Sequence, residues 1–255
     1  MIPTQLVWFS WSVAFLVPWA LLYWRFPAHR RAMWRSSLLT TPFGLTEPLF
    51  VPEYWDPPSL FDLAQRTGFD VESLIFCFGI GGVAAVLVAA LTRRTRTAAP
   101  AHERTASRHR FHRWALASPF ITFVALLPLG WNPIYPGIVA MLVGGVASLL
   151  CRPDLARVIL LGGVAFVAYY AVFLVGLEAS APADYIRSVW NLQALSGVMI
   201  GFIPLEEVLF AFGFGTYWSG IYEHVTWHQL HSAGITPQVA TTPEHHAPHD
   251  TEGAP

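Results

Sequence analysis

A short acidic motif occurs twice in the chain, and each copy opens a long apolar run. The first copy, residues 70–76, reads DVESLIF, and the second copy, residues 204–210, reads PLEEVLF. Glu72 of the first copy aligns with Glu206 of the second. Carboxyl groups beside hydrocarbon are costly unless they are paired or neutralised, so their presence there indicates a function. A carboxylic acid kept protonated by apolar surroundings could donate a proton, and a second carboxylate could accept one.

Two adjacent carboxyl groups, Glu206 and Glu207, strengthen this interpretation. The alternative is that these glutamates only cap their helices, because negative charge is stabilising at a helix N-terminus. A cap, however, requires one acid rather than two neighbours. Acids at matched positions of an internal repeat predict one site at a pseudo-symmetric interface, to which the first half would contribute Glu72.

Aromatic residues lie close to both motifs. Phe76 and Phe210 end the two copies, and Trp55 and Trp190 precede them at nearly matched positions. The face of an aromatic ring attracts a cation by about 0.5–2 kcal/mol. A pocket with aromatic walls and one carboxylic acid would therefore suit a carbocation cyclisation. The alternative for most of these rings is packing or contact with lipid.

The composition indicates the class of protein that must position these groups. Hydrophobic residues make up 54% of the 255 residues and charged residues only 12%, about half the charge of a soluble domain. The net charge of −1 gives no support for nucleic-acid binding, which needs a basic surface. The two cysteines, Cys77 and Cys151, lie within or at the end of apolar runs, which argues against a disulfide framework and a metal knuckle.

Apolar runs predict a transmembrane protein with about seven spans. The N-terminus has no basic region before its first apolar run, so we expect that run to be a retained span rather than a signal peptide. Arginines cluster at 25–35, 93–113 and 152–157, which predicts a cytoplasmic C-terminus and an N-terminus outside a bacterial inner (plasma) membrane. The predicted spans are 5–24, 37–52, 71–92, 114–130, 137–151, 157–177 and 204–222.

The predicted fold is an all-α, polytopic transmembrane bundle of two parallel, pseudo-symmetric three-helix repeats and a linker span. Residues 1–92 form the first repeat and residues 137–231 the second. Residues 93–136 comprise a basic cytoplasmic loop and the linker span, and we expect the loop to be disordered and to have no role beyond topology. The polar residues 232–255 are expected to be disordered.

Three histidines follow the last predicted span. His224, His228 and His231 have the spacing of one helical face. An interfacial helix, a metal site and a site for lipid headgroups or a partner all remain open for them. No metal is expected at the acidic motifs. No Gly-rich phosphate-binding turn follows a strand, and no Walker loop is present, so no flavin, nicotinamide or ATP is expected.

The Pro-x-Glu-Glu motif at 204–207, the duplicated half and the seven-span plan with an inserted linker resemble the lycopene cyclase domain. Members of this family occur as heterodimers or fused tandem domains and are membrane enzymes that close ionone rings on lycopene without a cofactor. The resemblance implies that Glu206 and Glu207 are the acid/base pair and Glu72 the matching carboxylate. Asp70 and Pro204, which open the two copies, are expected to line the substrate site. The implied partners are the lipid bilayer and a hydrophobic polyene or isoprenoid, whereas the oligomeric state stays open.

The first copy departs from the family pattern. Ser73 stands where the family has its second acid, and Asp70 stands where it has proline. Either the first half is a degraded partner or Asp70 supplies the missing carboxylate. The polar residues 42–62 leave the substrate open, so a related cyclase or hydratase acting on another isoprenoid is an alternative.

Two other functions remain as alternatives. A Glu-Glu intramembrane protease would need an arginine three residues after the pair and histidines on neighbouring spans, and Glu207 is followed instead by Val-Leu-Phe-Ala. A transporter or non-catalytic bundle that binds a lipid would use the acids for proton relay or packing.

Overall fold

The computed structural model describes residues 2–232, which are mostly helical. The predicted disordered tail therefore lies outside the described residues, except for Ser232. The α-helices are α1 Thr4–Ala14, α2 Leu16–Arg25, α3 Arg30–Thr40, α4 Leu63–Thr67, α5 Val71–Ala84, α6 Leu87–Leu91, α7 Ala101–Arg104, α8 His112–Leu126, α9 Ile134–Cys151, α10 Ala156–Ser180, α11 Tyr185–Val189, α12 Leu205–Trp218 and α13 Ile221–Thr226. The strands are β1 Arg94–Ala98, β2 Met199–Ile200, β3 Ile203–Pro204 and β4 His228–Ser232. The 3₁₀ segments are Pro27–His29, Thr41–Leu49, Leu60–Asp62, Ser107–His109, Leu127–Leu129, Pro153–Leu155 and Leu192–Ala194.

Four helical stretches of the described chain are long and apolar enough to cross a membrane. A fifth is added if two short helices, Leu60–Thr67 and Val71–Ala84, bent by 98° at their junction, count as one broken span. These stretches make the chain a membrane protein. The four are Thr4–Arg25, His112–Leu129, Ile134–Cys151 and Pro153–Ser180.

Three of the seven predicted spans differ from single crossing helices, and one of them, 71–92, is divided into α5 and α6. The segment 37–52 changes at Thr40 from α3 to the 3₁₀ segment Thr41–Leu49, because Pro42 and Pro48 lack the N–H group that an α-helix requires. Helix α12 has 14 residues and spans about 21 Å, less than the ~30 Å of a bilayer core. By length, the described helices thus provide four or five spans.

Close helix contacts form two packed groups. Helices α1 and α3 and the segment Thr41–Leu49 pack on α5, whereas α12 packs on α9 and α10, and α8 packs on α9. Gly44 allows the 3₁₀ segment to touch α5, since a Cβ atom there would lie 2.7 Å from the backbone nitrogen of Leu74. In the second group, a Cβ atom on Gly215 would lie 2.5 Å from the carbonyl oxygen of Gly162. Small residues thus set the close helix spacing.

The predicted linker loop is more ordered than expected, and the fold is not purely helical. Strand β1, within the basic segment 93–113, pairs antiparallel with β4. Strands β2 and β3 form a second small antiparallel pair. The expectation that this segment forms only a topological loop is therefore wrong, because its backbone bonds to the last described residues.

The histidines after the last predicted span do not share one helical face. His224 lies in α13, whereas His228 and His231 lie in β4. The helix ends at Trp227, which has a left-handed backbone conformation with φ of 55°. The predicted continuous helix is therefore wrong beyond residue 226.

The basic segments meet at one end of the bundle. Arg96 bonds to His29 and to Glu223, each at 2.5 Å. Buried Arg152 donates to the carbonyl oxygen of His228 at 2.7 Å. At the other end, Trp55 and Trp190 form an antiparallel backbone bridge. We call these the basic end and the tryptophan end.

Candidate active site

Glu72 is held at the start of α5 by the preceding loop. Its Oε1 accepts a hydrogen bond from the backbone N–H of Leu60 at 2.6 Å, and its side chain is fully buried. Asp70 caps the same helix, because its Oδ1 accepts from the Ser73 N–H at 2.5 Å. Both acids of the first motif therefore bond to backbone around the helix N-terminus.

Glu206 has the corresponding arrangement at the start of α12. Its Oε1 accepts from the backbone N–H of Ser196 at 2.9 Å and from the hydroxyl of Tyr135 at 2.8 Å. The two glutamates aligned in the sequence, Glu72 and Glu206, thus each bind the N–H of a residue in the loop before their helix. Carboxylates make strong hydrogen bonds of this kind.

Glu207 points instead between the two halves. Its Oε1 accepts from the indole N–H of Trp190 at 2.6 Å and from the hydroxyl of Tyr54, a residue of the first half. Only 3% of Glu207 is exposed. Two donors at one oxygen fix the orientation of this side chain.

A cavity of about 370 Å³ lies between the two packed groups. Its walls are apolar, and its two carboxyl groups are Glu207 and Glu47. Pocket volumes of about 300–1,000 Å³ suit small-molecule ligands. The aromatic residues of the wall are Phe43, Phe50, Tyr54, Trp55, Phe76, Phe120, Phe123, Tyr170, Phe210, Phe214, Tyr217 and Trp218.

Glu47 enters the cavity from the 3₁₀ segment Thr41–Leu49. Its Oε2 accepts from the Ser73 hydroxyl at 3.0 Å, whereas its Oε1 has no hydrogen-bond partner in the described part of the chain. Only 6% of the residue is exposed. Sequence reasoning did not select Glu47, although an acid inside an interrupted apolar run was a usable signal.

The residues predicted from the sequence occupy three kinds of position. Phe76, Phe210 and Trp55 line the cavity with Glu207. Trp190 lies behind the wall and bonds to Glu207. The other predicted site residues, Glu72, Glu206, Asp70 and Pro204, are not among the cavity-lining residues.

The cavity reaches the outer surface of the bundle along α8. Phe120 and Val124 line it and are 47% and 65% exposed. Because α8 is an apolar candidate span, the opening of the cavity lies on an apolar surface. The arrangement can therefore hold an apolar group beside two carboxyl groups.

One comparison with known proteins covers the second acidic motif. The lycopene cyclase family model matches residues 132–225, which include Tyr135, Glu206 and Glu207. The resemblance drawn from the sequence is confirmed for this segment. No curated protein and no solved structure matches the chain.

Proposed function

We propose that the chain, whose segment 132–225 matches the lycopene cyclase family, is a membrane carotenoid cyclase. It would close an ionone ring at an acyclic end of lycopene or a similar polyene. The observation that carries this proposal is the pair Glu207 and Glu47 on the wall of one aromatic cavity. Glu207 lies in the segment that matches the family, and Glu47 joins it from the first half.

The two carboxyl groups have different surroundings, which suggest different roles. Glu47 receives one hydrogen bond, from Ser73, so we assign it as the protonated acid. It gives its proton to the terminal double bond of the end group, and the next double bond attacks the carbon left positive. Glu207, with two donors, then removes a proton from the ring cation and forms the ring double bond.

The aromatic wall supports the cationic stage of this reaction. Phe76 and Phe210 approach the cavity from α5 and α12, the helices that open at the two motifs. Ring faces stabilise a cation by about 0.5–2 kcal/mol each, and more where water is excluded. The same wall keeps water from adding to the cation, which separates a cyclase from a hydratase.

Substrate and product are isomers, so the proton balance closes without a redox partner. One proton enters from Glu47 and one leaves to Glu207, and proton exchange resets the pair. We therefore propose a redox-neutral isomerase of the intramolecular lyase type. Turnover in membranes stripped of flavin and nicotinamide would agree with this assignment, and an absolute need for reduced flavin would contradict it.

The cavity holds an end group rather than a whole polyene, so the remaining chain would extend past Phe120 into lipid. We propose the bacterial inner membrane, with the basic end in the cytoplasm and the N-terminus outside. Reporter fusions at residues 104 and 232 would both be active only as cytoplasmic reporters. Activity only outside the cytoplasm would reverse the orientation.

The central experiment is expression of the chain in lycopene-accumulating cells, followed by pigment chromatography and mass spectrometry. We expect a ring-closed product of unchanged mass. Glu207→Gln should lower product per inserted protein by about 10²–10⁴. A chain that inserts, binds lycopene and leaves it unchanged would instead support the non-catalytic lipid-binding alternative.

A further inference from the structure

Three potential metal ligands from distant parts of the chain meet at the basic end. His112 begins α8, Cys151 ends α9, and His224 lies in α13. One imidazole nitrogen from each histidine and the Sγ atom of Cys151 all lie within 4.8 Å of one another. None of the three lines the aromatic cavity, so the cluster is separate from the proposed active site.

His224 is the residue that most requires an explanation. Only 1% of it is exposed, and neither ring nitrogen has a hydrogen-bond partner in the part of the chain that the structure describes. A buried polar group without a partner costs about 1–3 kcal/mol. A metal ion bound to one nitrogen would remove that cost for the nitrogen concerned.

The spacing around Cys151 fits a tetrahedral site. Its Sγ atom lies 3.8 Å from Nδ1 of His112 and 3.7 Å from Nδ1 of His109. Zinc–sulfur and zinc–nitrogen bonds of about 2.3 and 2.0–2.1 Å place the two ligand atoms about 3.5 Å apart in a tetrahedron. Small side-chain adjustments would thus close the site around an ion.

His109 has the second contact that metal-binding histidines commonly make. Its Nε2 atom lies 3.0 Å from a carboxylate oxygen of Glu103, while its Nδ1 atom faces Cys151. A carboxylate on the far nitrogen fixes the ring orientation and raises its strength as a ligand. His109 is not one of the three residues whose ligand atoms all lie within 4.8 Å of one another, but its contact with Cys151 makes it the candidate for a fourth ligand, oriented by Glu103.

The surroundings tolerate a cation. Arg152 follows Cys151 in the chain, and its charge is paired with Asp154 through contacts of 2.8 and 2.7 Å. Trp227 stacks on the His112 ring at 4.2 Å between centroids and covers that side of the cluster.

We propose that His109, His112, Cys151 and His224 bind one zinc ion or a similar divalent transition metal. One thiolate and three imidazoles are borderline ligands that suit zinc. Four protein ligands leave no open position, so the ion is structural rather than catalytic. It joins the start of α8 to the ends of α9 and α13 and holds the basic end together.

The test uses the full chain, purified in detergent without a polyhistidine tag and loaded with zinc or cobalt. His245, His246 and His249 are replaced by Gln in every sample, so that the tail cannot supply ligands. We expect one metal per chain by elemental analysis, and a thiolate-to-cobalt absorption band with tetrahedral cobalt. Absence of stoichiometric metal in this parent protein would overturn the proposal.

Cys151→Ser should abolish the thiolate band, and His224→Gln should weaken zinc binding by more than the roughly 10–100-fold that loss of an orienting partner costs. Cys77→Ser and His231→Gln are matched controls outside the cluster and should bind metal normally. Unchanged metal binding in both Cys151→Ser and His224→Gln would also overturn the proposal. A chelator should lower the thermal unfolding midpoint of the parent protein and not that of Cys151→Ser, which separates metal loss from misfolding.

Discussion

The hydroxyl of Ser73 lies 3.0 Å from a carboxylate oxygen of Glu47. In the two motif copies Ser73 aligns with Glu207, so the first half carries a hydroxyl where the second carries an acid. Glu47, from a different segment, brings a carboxyl group to that hydroxyl. Asp70 does not fill this role, because its Oδ1 atom caps α5. The first half thus still presents a carboxyl group to the cavity, from Glu47, although its motif lacks the second acid.

Replacement of Glu47 should show whether its carboxyl group acts in the reaction or only supports the structure. We expect Glu47→Gln to lower ring closure by about 10²–10⁴, as for loss of a general acid. Ser73→Ala removes one hydrogen bond, worth about 0.5–1.5 kcal/mol, and should reduce the rate severalfold. The measurement is ring-closed product per inserted protein. Wild-type activity in Glu47→Gln would remove Glu47 from the mechanism.

The glutamates that bind loop backbone should affect stability more than rate. Glu72→Gln and Glu206→Gln keep an acceptor oxygen but lose the negative charge that strengthens their bonds to Leu60 and Ser196. We expect each to lose about 1 kcal/mol of stability and to keep near-normal activity per folded molecule. Thermal unfolding and product assays on the same preparations provide the comparison. A rate loss near 10²-fold at normal stability would return Glu206 to the acid/base pair.

Gly44 should be required for placing Glu47. A Cβ atom at this position would lie 2.7–2.8 Å from the backbone of Ser73 and Leu74, so Gly44→Ala must push the 3₁₀ segment away from α5. We expect a lower unfolding midpoint and a loss of activity comparable to that of Glu47→Gln. Gly137→Ala is the matched control for stability, since its Cβ atom would meet nothing within 4 Å. Equal unfolding midpoints in the two variants would contradict the packing argument.

The sequence was sufficient for features that depend on local pattern. Apolar runs predicted the long helices, and the Glu206–Glu207 pair predicted a carboxyl group at the site. The sequence could not show which of Glu206 and Glu207 faces the cavity. Their orientations depend on hydrogen-bond donors from other segments, namely Tyr54, Tyr135 and Ser196. Glu47 was missed because its position at the cavity depends on the packing of the segment Thr41–Leu49 against α5.

The error in the linker has a related cause. Residues 94–98 are polar and carry no strand signal of their own, and they form a strand only because residues 228–232 pair with them. The same pairing takes His228 and His231 out of the helix that their spacing predicted. Tertiary backbone pairing overrode local pattern at both places.

His29 should make stability depend on pH. Its burial, and then the neighbouring Arg96 guanidinium, lower the pKa of His29 to about 4, from about 6.5 in an unfolded chain. The folded state therefore holds neutral His29, whose stabilising contribution is complete above about pH 6.5 and is lost as the pH falls towards 4. We expect the unfolding midpoint to fall between pH 7.5 and 5.5. His29→Asn should make that dependence less steep, and an unchanged slope would exclude His29 as a contributor to it.

Strand β1 follows directly after the first half of the chain, whereas its partner β4 follows the last described helix of the second. The backbone of Ala99 extends this contact by donating to the carbonyl oxygen of Trp227 at 2.7 Å. The peptide between Ala99 and Phe111 is therefore not the sole tie between the halves at this end. If the chain were cleaved between Ala99 and Phe111, the backbone hydrogen bonds between β1 and β4 would still join the two polypeptides. The same assembly could therefore be encoded by one reading frame or by two.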